Sequence, residues 1–369
     1  MNSIPDIIPL NEWLTDNGRP LIIAGPCSAE TEDQVMLTAR QISAIPEVKV
    51  FRAGIWKPRT RPRDFEGAGE KGLKWLHQVK QETGLLTCVE VAKPQHAEAC
   101  LKAGIDILWI GARTTVNPFY IQEIADALTG TDIPVMIKNP VHPDLKLWMG
   151  AFERFYNTGK RKLIAIHRGF YFFNKSEYRN APMWEIPIEL KRQFPSLPII
   201  TDPSHICGKR EMIFAVSQKA IDLEMDGLMI ETHYNPDKAL TDARQQLSPI
   251  QLHELLAQLV IREKTGNIEI QSKLDQLRCE IDKLDAEMIE VLSKRFGIVR
   301  EIGHYKKENN ITILQQKRWD YVLNDRTGAA AREGITTDFI NHLLELIHDE
   351  SIQIQTDIMN KRSIGKSNE

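Results

Sequence analysis

Eight short apolar runs, separated by longer segments with helical periodicity, dominate the first two-thirds of the chain. The runs are Leu21–Ala24, Val48–Arg52, Leu85–Val91, Ile107–Ile110, Pro134–Lys138, Leu163–His167, Pro198–Thr201 and Gly227–Glu231. They are rich in Leu and β-branched residues and do not alternate with polar ones, which is typical of parallel strands buried on both faces. Eight such strands separated by helices predict a (β/α)8 barrel over residues 1–265 rather than a doubly wound sheet.

An all-helical region follows the last strand. The sequence predicts a linker at residues 266–272, a helical domain at 273–357 and a polar tail at 358–369. Apolar residues of its first helix repeat at alternating spacings of three and four, which is a heptad-like seam. The seam consists of Leu274, Leu277, Ile281, Leu284, Met288, Val291, Ile298, Ile302 and Tyr305. A single long helix cannot bury such a seam alone, so we expect a homodimer or a higher even homo-oligomer.

The composition excludes several classes of protein. With 42% hydrophobic residues, 26% charged residues and a net charge of −3, the chain is neither a disordered acidic protein nor a basic nucleic-acid binder. No apolar run approaches the ~20 residues that a membrane span needs, and residues 1–13 lack the pattern of a signal peptide. Five scattered cysteines are too few for a disulfide framework, which favours a soluble, cytoplasmic protein.

Four side chains at or just beyond the predicted strand ends have the chemistry of a metal site. Barrel enzymes carry their catalytic groups at the C-terminal ends of the strands. There the sequence places Cys27, His205, Glu231 and Asp242. A thiolate, an imidazole and two carboxylates suit a divalent transition metal (Mn, Zn, Fe or Co) better than Mg or Ca, which prefer oxygen ligands. A lone Cys or His at such a position is more often a core residue, so it is their coincidence that favours a site.

A second set of strand-end residues consists of cations. They are Arg52, Lys57, Arg59, Arg113, Lys138 and Arg168. A single Arg or Lys at a strand end is often merely solvated, but so many positive charges in one barrel mouth would repel one another. A strongly anionic ligand removes this repulsion, and phosphate and carboxylate groups are the natural partners of such cations.

Five motifs of the barrel together resemble 3-deoxy-D-arabino-heptulosonate 7-phosphate (DAHP) synthase of type I-beta, the first enzyme of the shikimate pathway. They are Gly25-Pro26-Cys27-Ser28, Lys57-Pro58-Arg59-Thr60, Gly111-Ala112-Arg113, Asp202-Pro203-Ser204-His205 and Glu231-Thr232-His233. The resemblance covers about residues 8–263. A sister family, 3-deoxy-D-manno-octulosonate 8-phosphate synthase, shares the barrel and the Gly-Pro-Cys motif and is the alternative. It typically has Lys-Ala-Asn-Arg where this chain has Lys57-Pro58-Arg59-Thr60, which favours the DAHP enzyme.

The resemblance implies a role for each candidate residue. The implied metal ligands are Cys27, His205, Glu231 and Asp242. The implied phosphoenolpyruvate contacts are Lys57, Arg113, Lys138 and Arg168. The implied erythrose 4-phosphate contacts are Arg52, Arg59, Thr60 and Asp202. The metal would polarise the aldehyde as a Lewis acid. Lys57 is the candidate proton donor to the new alkoxide, with a water molecule on the metal as the alternative donor.

Two cations share one face of the long C-terminal helix. Arg295 occupies a position where the seam requires an apolar residue, and a buried guanidinium costs several kcal/mol unless an anion meets it. Arg295 is therefore either a device for pairing specificity or a clamp for an anionic ligand. Lys306 follows eleven residues later, roughly 20° around an ideal helix, whereas Arg278 lies about a quarter turn away from both.

The helical domain resembles an AroQ-type chorismate mutase over about residues 273–357. The residues that carry the resemblance are Leu277-Arg278, Leu284-Asp285, Arg295, Gly303, Lys306, Arg318, Ser351 and Gln355. It implies a chorismate site in which three arginines clamp the two carboxylates, namely Arg278 (reaching across a dimer), Arg295 and Arg318. Lys306 and Gln355 would face the ether oxygen, and Ser351 would also contact the substrate.

Two residues depart from the mutase pattern. Trp319 follows Arg318 where many members of the family have Glu, and Gln315 stands one turn earlier where an acidic residue is common. The alternative is therefore a helical domain that serves as a non-catalytic dimerisation and ligand-sensing module. Trp319 favours that alternative, whereas Arg295 and Lys306 argue against it.

Together the two resemblances imply a bifunctional enzyme whose substrates are phosphoenolpyruvate, erythrose 4-phosphate and chorismate. The fusion of the first step of a pathway to a later one suggests feedback inhibition by prephenate or chorismate through the helical domain.

Overall fold

Eight parallel strands close into one barrel in chain order. The computed structural model describes residues 6–14, 20–57, 65–173, 176–262 and 268–360. The strands are β1 (Leu21–Gly25), β2 (Val48–Ala53), β3 (Leu86–Val91), β4 (Ile107–Ile110), β5 (Val135–Lys138), β6 (Leu163–His167), β7 (Ile199–Thr201) and β8 (Gly227–Glu231). β8 closes the barrel against β1, with Gly25 opposite Glu231. The predicted (β/α)8 barrel is confirmed, and each predicted run matches its strand to within one residue at either end.

Helices connect the strands and cover the outside of the barrel. They are α1 (Glu32–Ser43), α2 (Lys71–Thr83), α3 (Pro94–Lys102), α4 (Ala112–Thr115), α5 (Pro118–Ala127), α6 (Leu145–Asn157), α7 (Glu185–Gln193), α8 (Pro203–Cys207), α9 (Ile213–Asp222) and α10 (Pro249–Gln258). Side-chain caps fix several of their starts. Thr31 accepts a hydrogen bond from the Gln34 amide at α1, and Ser248 and Gln251 form a capping box at α10.

Two apolar layers form the core of the barrel unit. Inward-facing strand residues such as Ile23, Trp109 and Met229 fill the barrel. Outward-facing strand residues such as Phe51 and helix residues such as Trp148 form the layer between the strands and the helices. Because the interior is filled in this way, ligand-binding groups are confined to the strand ends and the loops beyond them.

A second compact unit, Thr265–Glu369, follows the barrel unit. Its helices are α11 (Ile268–Glu308), α12 (Gln316–Arg332) and α13 (Thr337–Asn360). α13 packs against both α11 and α12, which confirms the predicted helical domain. The nine apolar seam residues of α11 are all exposed in the single chain, by between 41% and 65%. None of the described helices is long and apolar enough to cross a membrane.

Two helix ends differ from the sequence prediction. The sequence pattern predicts a last barrel helix over Pro249–Lys264, and a second C-terminal helix over Leu314–Arg326 with a connection at Gly328–Gly334 after it. α10 ends at Gln258 rather than at Lys264, because the Gln218 side chain bonds both the N–H and the carbonyl of Val260 and holds it outside the helix. α12 continues to Arg332, through part of the segment predicted as a connection. Three consecutive alanines at 329–331 favour helix there, and Gly334, with φ +76°, lies in the left-handed region just beyond its end.

Candidate functional site

Three candidate metal ligands converge at the C-terminal end of the barrel. One ligand atom each of Cys27, Glu231 and Asp242 lies within 4.8 Å of the other two. Cys27 Sγ lies 3.4 Å from Asp242 Oδ2, although the two residues are 215 positions apart in sequence. Barrel closure brings them together, because Glu231 ends β8 and Cys27 follows the neighbouring strand β1.

His205 is the fourth candidate ligand, and Asp202 holds its ring. Asp202 precedes α8 as its N-cap, and its Oδ1 accepts a hydrogen bond of 3.1 Å from the His205 amide. His205 Nδ1 lies 2.8 Å from Asp202 Oδ2, and His205 Nε2 lies 3.7 Å from Glu231 Oε1. Burial lowers the pKa of His205, although Asp202 opposes this. With Asp202 on the Nδ1 side of the ring, Nε2 faces Glu231 and is the nitrogen that can bind a metal.

The donor set fits a divalent transition metal. Glu231 Oε1 is buried and has no hydrogen-bond partner among the described residues. Burial raises the pKa of the Cys27 thiol to about 12, and the negative charges of Glu231 and Asp242 add to this effect. A divalent cation would lower the pKa of this thiol, because it stabilises the thiolate and neutralises the charge of the two carboxylates. Sulfur, nitrogen and oxygen donors in one cluster suit Mn, Zn, Fe or Co.

Arg52 is a fully buried cation at the end of β2. Its Nη2 donates to the Cys27 carbonyl at 3.3 Å and lies 3.4 Å from Glu231 Oε1. Its guanidinium lies over the Trp109 ring, 4.8 Å from the centroid. Nε and Nη1 have no hydrogen-bond partner in the described part of the chain. Since buried donors normally find acceptors, two unsatisfied N–H groups indicate a place for a polar or anionic ligand.

Lys138 and Asp202 form a buried ion pair. Lys138 Nζ lies 2.7 Å from Asp202 Oδ2. Burial alone would raise the pKa of Asp202, but the charges of His205 and Lys138 outweigh it and hold the pKa well below its ordinary range. Both oxygens of Asp202 therefore already contact protein groups. This position favours support of His205 and Lys138 over the direct erythrose 4-phosphate contact that the resemblance implies.

Lys57 lies near the same mouth, beside the end of β3. Its Nζ is 3.9 Å from Glu90 Oε2, and its side chain is only 9% exposed. Arg59 and Thr60, which complete the predicted motif, lie outside the described residues.

Further guanidinium groups crowd around Arg168. Its Nη1 donates to Asn180 Oδ1 at 2.7 Å. Burial, together with the positive charges of Arg179 and Arg113, lowers the pKa of Arg168 to about 10. Like charges held close together are stabilised by an anion, so this group has the electrostatics of a phosphate or carboxylate site.

Sequence reasoning missed Arg179 and two neighbouring glutamines. Arg179 Nη1 donates to Asp242 Oδ1 at 2.9 Å, and Gln246 Oε1 accepts a hydrogen bond of 3.1 Å from the Cys27 amide. Gln245 contacts Glu231. None of the three ends a strand, and the only available signal was that the glutamines follow Asp242 by three and four residues.

In the second unit, α11 and α13 bring together one cation and two polar side chains. Arg295 Nη1 donates to Ser351 Oγ at 2.8 Å. Gln355 lies one turn further along α13, and its Oε1 is buried without a hydrogen-bond partner among the described residues. Lys306 is only 8% exposed and donates to the Ile313 carbonyl at 2.5 Å. Burial lowers the pKa of both Arg295 and Lys306, although Arg295 remains exposed in the single chain whereas Lys306 is buried.

The other predicted mutase residues make different contacts in the single chain. Arg278 pairs with Asp275 at 3.0 Å on the exposed surface of α11. The guanidinium of Arg318 lies 5.2 Å from the centre of the Tyr321 ring. Trp319 stacks on His348, with ring centroids 4.0 Å apart and planes within 17°.

Both units match known protein families. Residues 10–265 match the DAHP synthetase I family, and residues 277–356 match chorismate mutase type II. The phospho-2-dehydro-3-deoxyheptonate aldolase of Thermotoga maritima is 34% identical over 258 residues, which cover 69% of this chain and 72% of that protein. A 2-dehydro-3-deoxyphosphooctonate aldolase of Syntrophotalea carbinolica is 26% identical over 278 residues, which cover 70% of this chain and 96% of that protein.

Two solved structures of DAHP synthases are similar to this chain. The crystal structure of the T. maritima phospho-2-dehydro-3-deoxyheptonate aldolase (DAHP synthase) is similar with a TM-score of 0.60 and 30% identity, covering 74% of this chain and 78% of that chain. A truncated form of the T. maritima synthase is similar with a TM-score of 0.57 and 29% identity, covering 72% of this chain and 91% of that chain.

Proposed function

The chain belongs to the DAHP synthetase I family and carries a chorismate mutase type II domain, and from this premise we propose a function for each unit. The barrel condenses phosphoenolpyruvate, erythrose 4-phosphate and water to DAHP and phosphate. The helical unit rearranges chorismate to prephenate. The observation that carries the first assignment is Arg52, a fully buried cation with two unsatisfied donors beside the candidate metal ligands.

The cations of the barrel mouth hold the two anionic substrates. Phosphoenolpyruvate binds to Lys57, Arg113, Lys138 and Arg168. Erythrose 4-phosphate binds to Arg52, Arg59 and Thr60, and Asp202 supports this site through its contacts with His205 and Lys138. The two phosphates and the carboxylate supply the negative charge that the crowded guanidinium groups around Arg168 require.

Cys27, His205, Glu231 and Asp242 would hold a divalent transition metal. When bound, the metal supplies Lewis-acid polarisation of the aldehyde oxygen of erythrose 4-phosphate. The convergence of Cys27, Glu231 and Asp242 within 4.8 Å supports this assignment, as does the Glu231 oxygen that lacks a hydrogen-bond partner among the described residues.

The protein residues orient the reactants and move one proton. The third carbon of phosphoenolpyruvate attacks the aldehyde carbon, and the aldehyde oxygen becomes an alkoxide that takes a proton from Lys57. Water then adds to the second carbon, and phosphate leaves by cleavage of the C–O bond, so that the water oxygen becomes the new carbonyl oxygen. One proton of the water returns to Lys57 and the other leaves with the phosphate. Burial alone would lower the pKa of Lys57, but the negative charges of a Cys27 thiolate and of Glu90 outweigh it and raise this pKa above the ordinary value. Lys57 therefore carries the proton that it donates.

The helical unit acts on chorismate by positioning and charge. Arg278, Arg295 and Arg318 hold the carboxylates, Ser351 assists Arg295, and Lys306 and Gln355 face the ether oxygen on which negative charge grows as the C–O bond breaks. The rearrangement is pericyclic and needs no nucleophile. The site can therefore accelerate it only by holding chorismate in the reactive conformation and by placing fixed hydrogen-bond donors where negative charge develops. The hydrogen bond between Arg295 and Ser351 supports this reading.

The helical unit also forms a homodimer. The seam of α11 exposes nine apolar side chains along one helix, and water disfavours so long an apolar stripe. A second copy of the same helix is the matching surface, and it would bring the Arg278 of one chain to the site of the other.

Prephenate or chorismate bound to the helical unit lowers turnover by the barrel. This proposal is motivated by the fusion of the two units in one chain. If saturating prephenate left DAHP formation unchanged at subsaturating concentrations of both barrel substrates, feedback through this unit would be refuted.

The decisive experiment follows phosphoenolpyruvate consumption with erythrose 4-phosphate before and after removal of metal by a chelator. Activity that disappears and returns on addition of a single metal supports the barrel reaction and its metal site together. Activity that survives complete removal contradicts the ligand roles. Turnover with arabinose 5-phosphate in place of erythrose 4-phosphate would instead favour the sister family.

A separate variant tests the second reaction. Arg295→Ala should abolish chorismate turnover while the far-ultraviolet circular dichroism and the barrel reaction stay unchanged. Arg300→Ala, an exposed arginine elsewhere on the same helix, is the control. If Arg295→Ala leaves chorismate turnover as it was, the helical unit is a dimerisation and sensing module.

A further inference from the structure

Arg179 and Gln245 link the two candidate carboxylate ligands from outside. Arg179 lies in the loop between β6 and α7, and its Nη1 donates to Asp242 Oδ1 at 2.9 Å and to Gln245 Oε1 at 2.7 Å. Gln245 Nε2 in turn donates to Glu231 Oε2 at 2.7 Å. This hydrogen-bonded pair, which we name the Arg179–Gln245 relay, therefore holds one oxygen of each carboxylate.

The other oxygen of each carboxylate faces the candidate metal site. Asp242 Oδ2 lies 3.4 Å from Cys27 Sγ. Glu231 Oε1 lies 3.7 Å from His205 Nε2 and 3.4 Å from Arg52 Nη2, and it has no hydrogen-bond partner among the described residues. The two carboxylates are therefore oriented in the same way. In each, the outer oxygen accepts a hydrogen bond from the relay and the inner oxygen faces another candidate ligand.

The backbone at Asp242 gives a second, independent sign of constraint. Asp242 has a φ of +50°, which is uncommon for a residue other than glycine. Such a conformation persists only where the surroundings hold it, and it concentrates at functional sites. Arg179 contacts the Asp242 side chain on the side away from Cys27, so the relay and the strained backbone together fix the direction of this carboxylate.

We propose that the Arg179–Gln245 relay is a positioning device that orients both carboxylate ligands and thereby sets the affinity of the barrel for its metal. This inference rests on the proposed metal site of Cys27, His205, Glu231 and Asp242. Arg179 is not itself a ligand, because a guanidinium has donors but no acceptor. Groups that hold metal ligands in this way typically change metal affinity by about 10–100-fold when they are replaced.

Arg179 has two opposing effects on metal binding. Its positive charge repels a cation, so a neutral replacement would tighten metal binding if charge dominated. Loss of orientation would weaken metal binding instead. Because Arg179 stands at the partly exposed rim, with a side chain 45% accessible, solvent screens its charge, and the loss of orientation should prevail.

The test measures cobalt binding by the metal-free full-length protein, in competition with a chromophoric chelator. The absorption band of a thiolate–cobalt bond reports whether Cys27 is a ligand. Arg179→Gln and Gln245→Ala should each weaken cobalt binding by about 10–100-fold and alter the cobalt absorption spectrum, while circular dichroism stays that of the wild type.

Arg210→Gln is the matched control. Arg210 ties down the same loop through the carbonyls of Gln246 and Ala243, both at 2.7 Å, but contacts none of the candidate ligands. Its replacement should leave cobalt affinity unchanged. An equal loss in this control would assign the effect to general loosening of the loop and overturn the proposal.

The remaining outcomes separate the relay from the metal site. A wild-type protein that binds cobalt without a thiolate band overturns both. A wild type with the band, and an Arg179→Gln variant of equal or tighter affinity, overturns the relay and leaves the metal site intact. A higher KM for erythrose 4-phosphate at unchanged cobalt affinity would make Arg179 a substrate contact and would likewise overturn it.

Discussion

Replacement of Asp202 by asparagine tests the electrostatics at the base of the barrel site. The change keeps the shape of the side chain and its cap on the His205 amide, but it removes the negative charge that lies 2.7 Å from Lys138 Nζ. The side chains of Lys138 and Asp202 are 6% and 0% exposed, so water cannot replace the lost partner. Removal of one member of a buried ion pair costs about 3–5 kcal/mol, and we expect Asp202→Asn to fall in that range.

Urea unfolding of the metal-free protein, followed by tryptophan fluorescence, measures this loss. Six of the seven tryptophans belong to the barrel unit, so the signal reports that unit. Asp132→Asn is the control, because it breaks an ion pair with Lys162 in which the aspartate is 84% exposed, and it should have no measurable effect. A free energy of unfolding for Asp202→Asn within about 1 kcal/mol of the wild type would refute the reasoning, because Lys138 would then not depend on this charge.

Four further predictions concern α11. Gly297→Ala should stabilise the helical unit by about 0.5–1 kcal/mol in urea unfolding, because an added Cβ meets no atom of the chain within 4 Å. Gly303→Ala should give no such gain and should slow chorismate turnover, because its Cβ would come within 2.9 Å of α13; equal behaviour of the two variants would contradict the packing. Chorismate turnover should fall with rising pH at an inflection below the ordinary lysine pKa of 10.5, because burial lowers the pKa of Lys306; a rate that stays constant through pH 10.5 would show that its charge is not needed. Ile281→Glu, in the exposed seam, should convert the dimer to monomers in analytical ultracentrifugation, whereas the exposed Lys283→Glu should not; a dimeric Ile281→Glu would place the interface elsewhere.

The barrel could be predicted from sequence because its strands are buried on both faces. Such strands must be continuous apolar runs, and helices with one apolar face separate them. The short helices α4 and α8 could not be predicted in this way, because segments of four and five residues show no helical periodicity. α8 depends on a side-chain cap by Asp202, and a cap of this kind cannot be told from a substrate contact by sequence alone.

The convergence of Cys27, Glu231 and Asp242 could also be predicted, since parallel strand ends meet at one rim. What the sequence could not provide is which oxygen of each carboxylate is already engaged. Arg179 reaches Asp242 across 63 positions of sequence, between two loops without periodic structure. No spacing rule relates such residues, so contacts of this kind become visible only with the fold.

The candidate metal site lies across the junction of the first and last strands of the barrel, and this has a consequence for biosynthesis. β1 and β8 are paired although nearly the whole barrel sequence separates them, so their contact is among the last that a growing chain can make. Before β1 and β8 pair, a nascent chain offers only isolated metal ligands, and the four candidate ligands come together only after this pairing. A cation that joined Cys27 to Asp242 would then bridge a loop of 215 residues and resist reopening of that junction, as a cross-link does. Metal starvation would therefore appear in the cell as proteolytic sensitivity of the two terminal strands, as well as lost turnover.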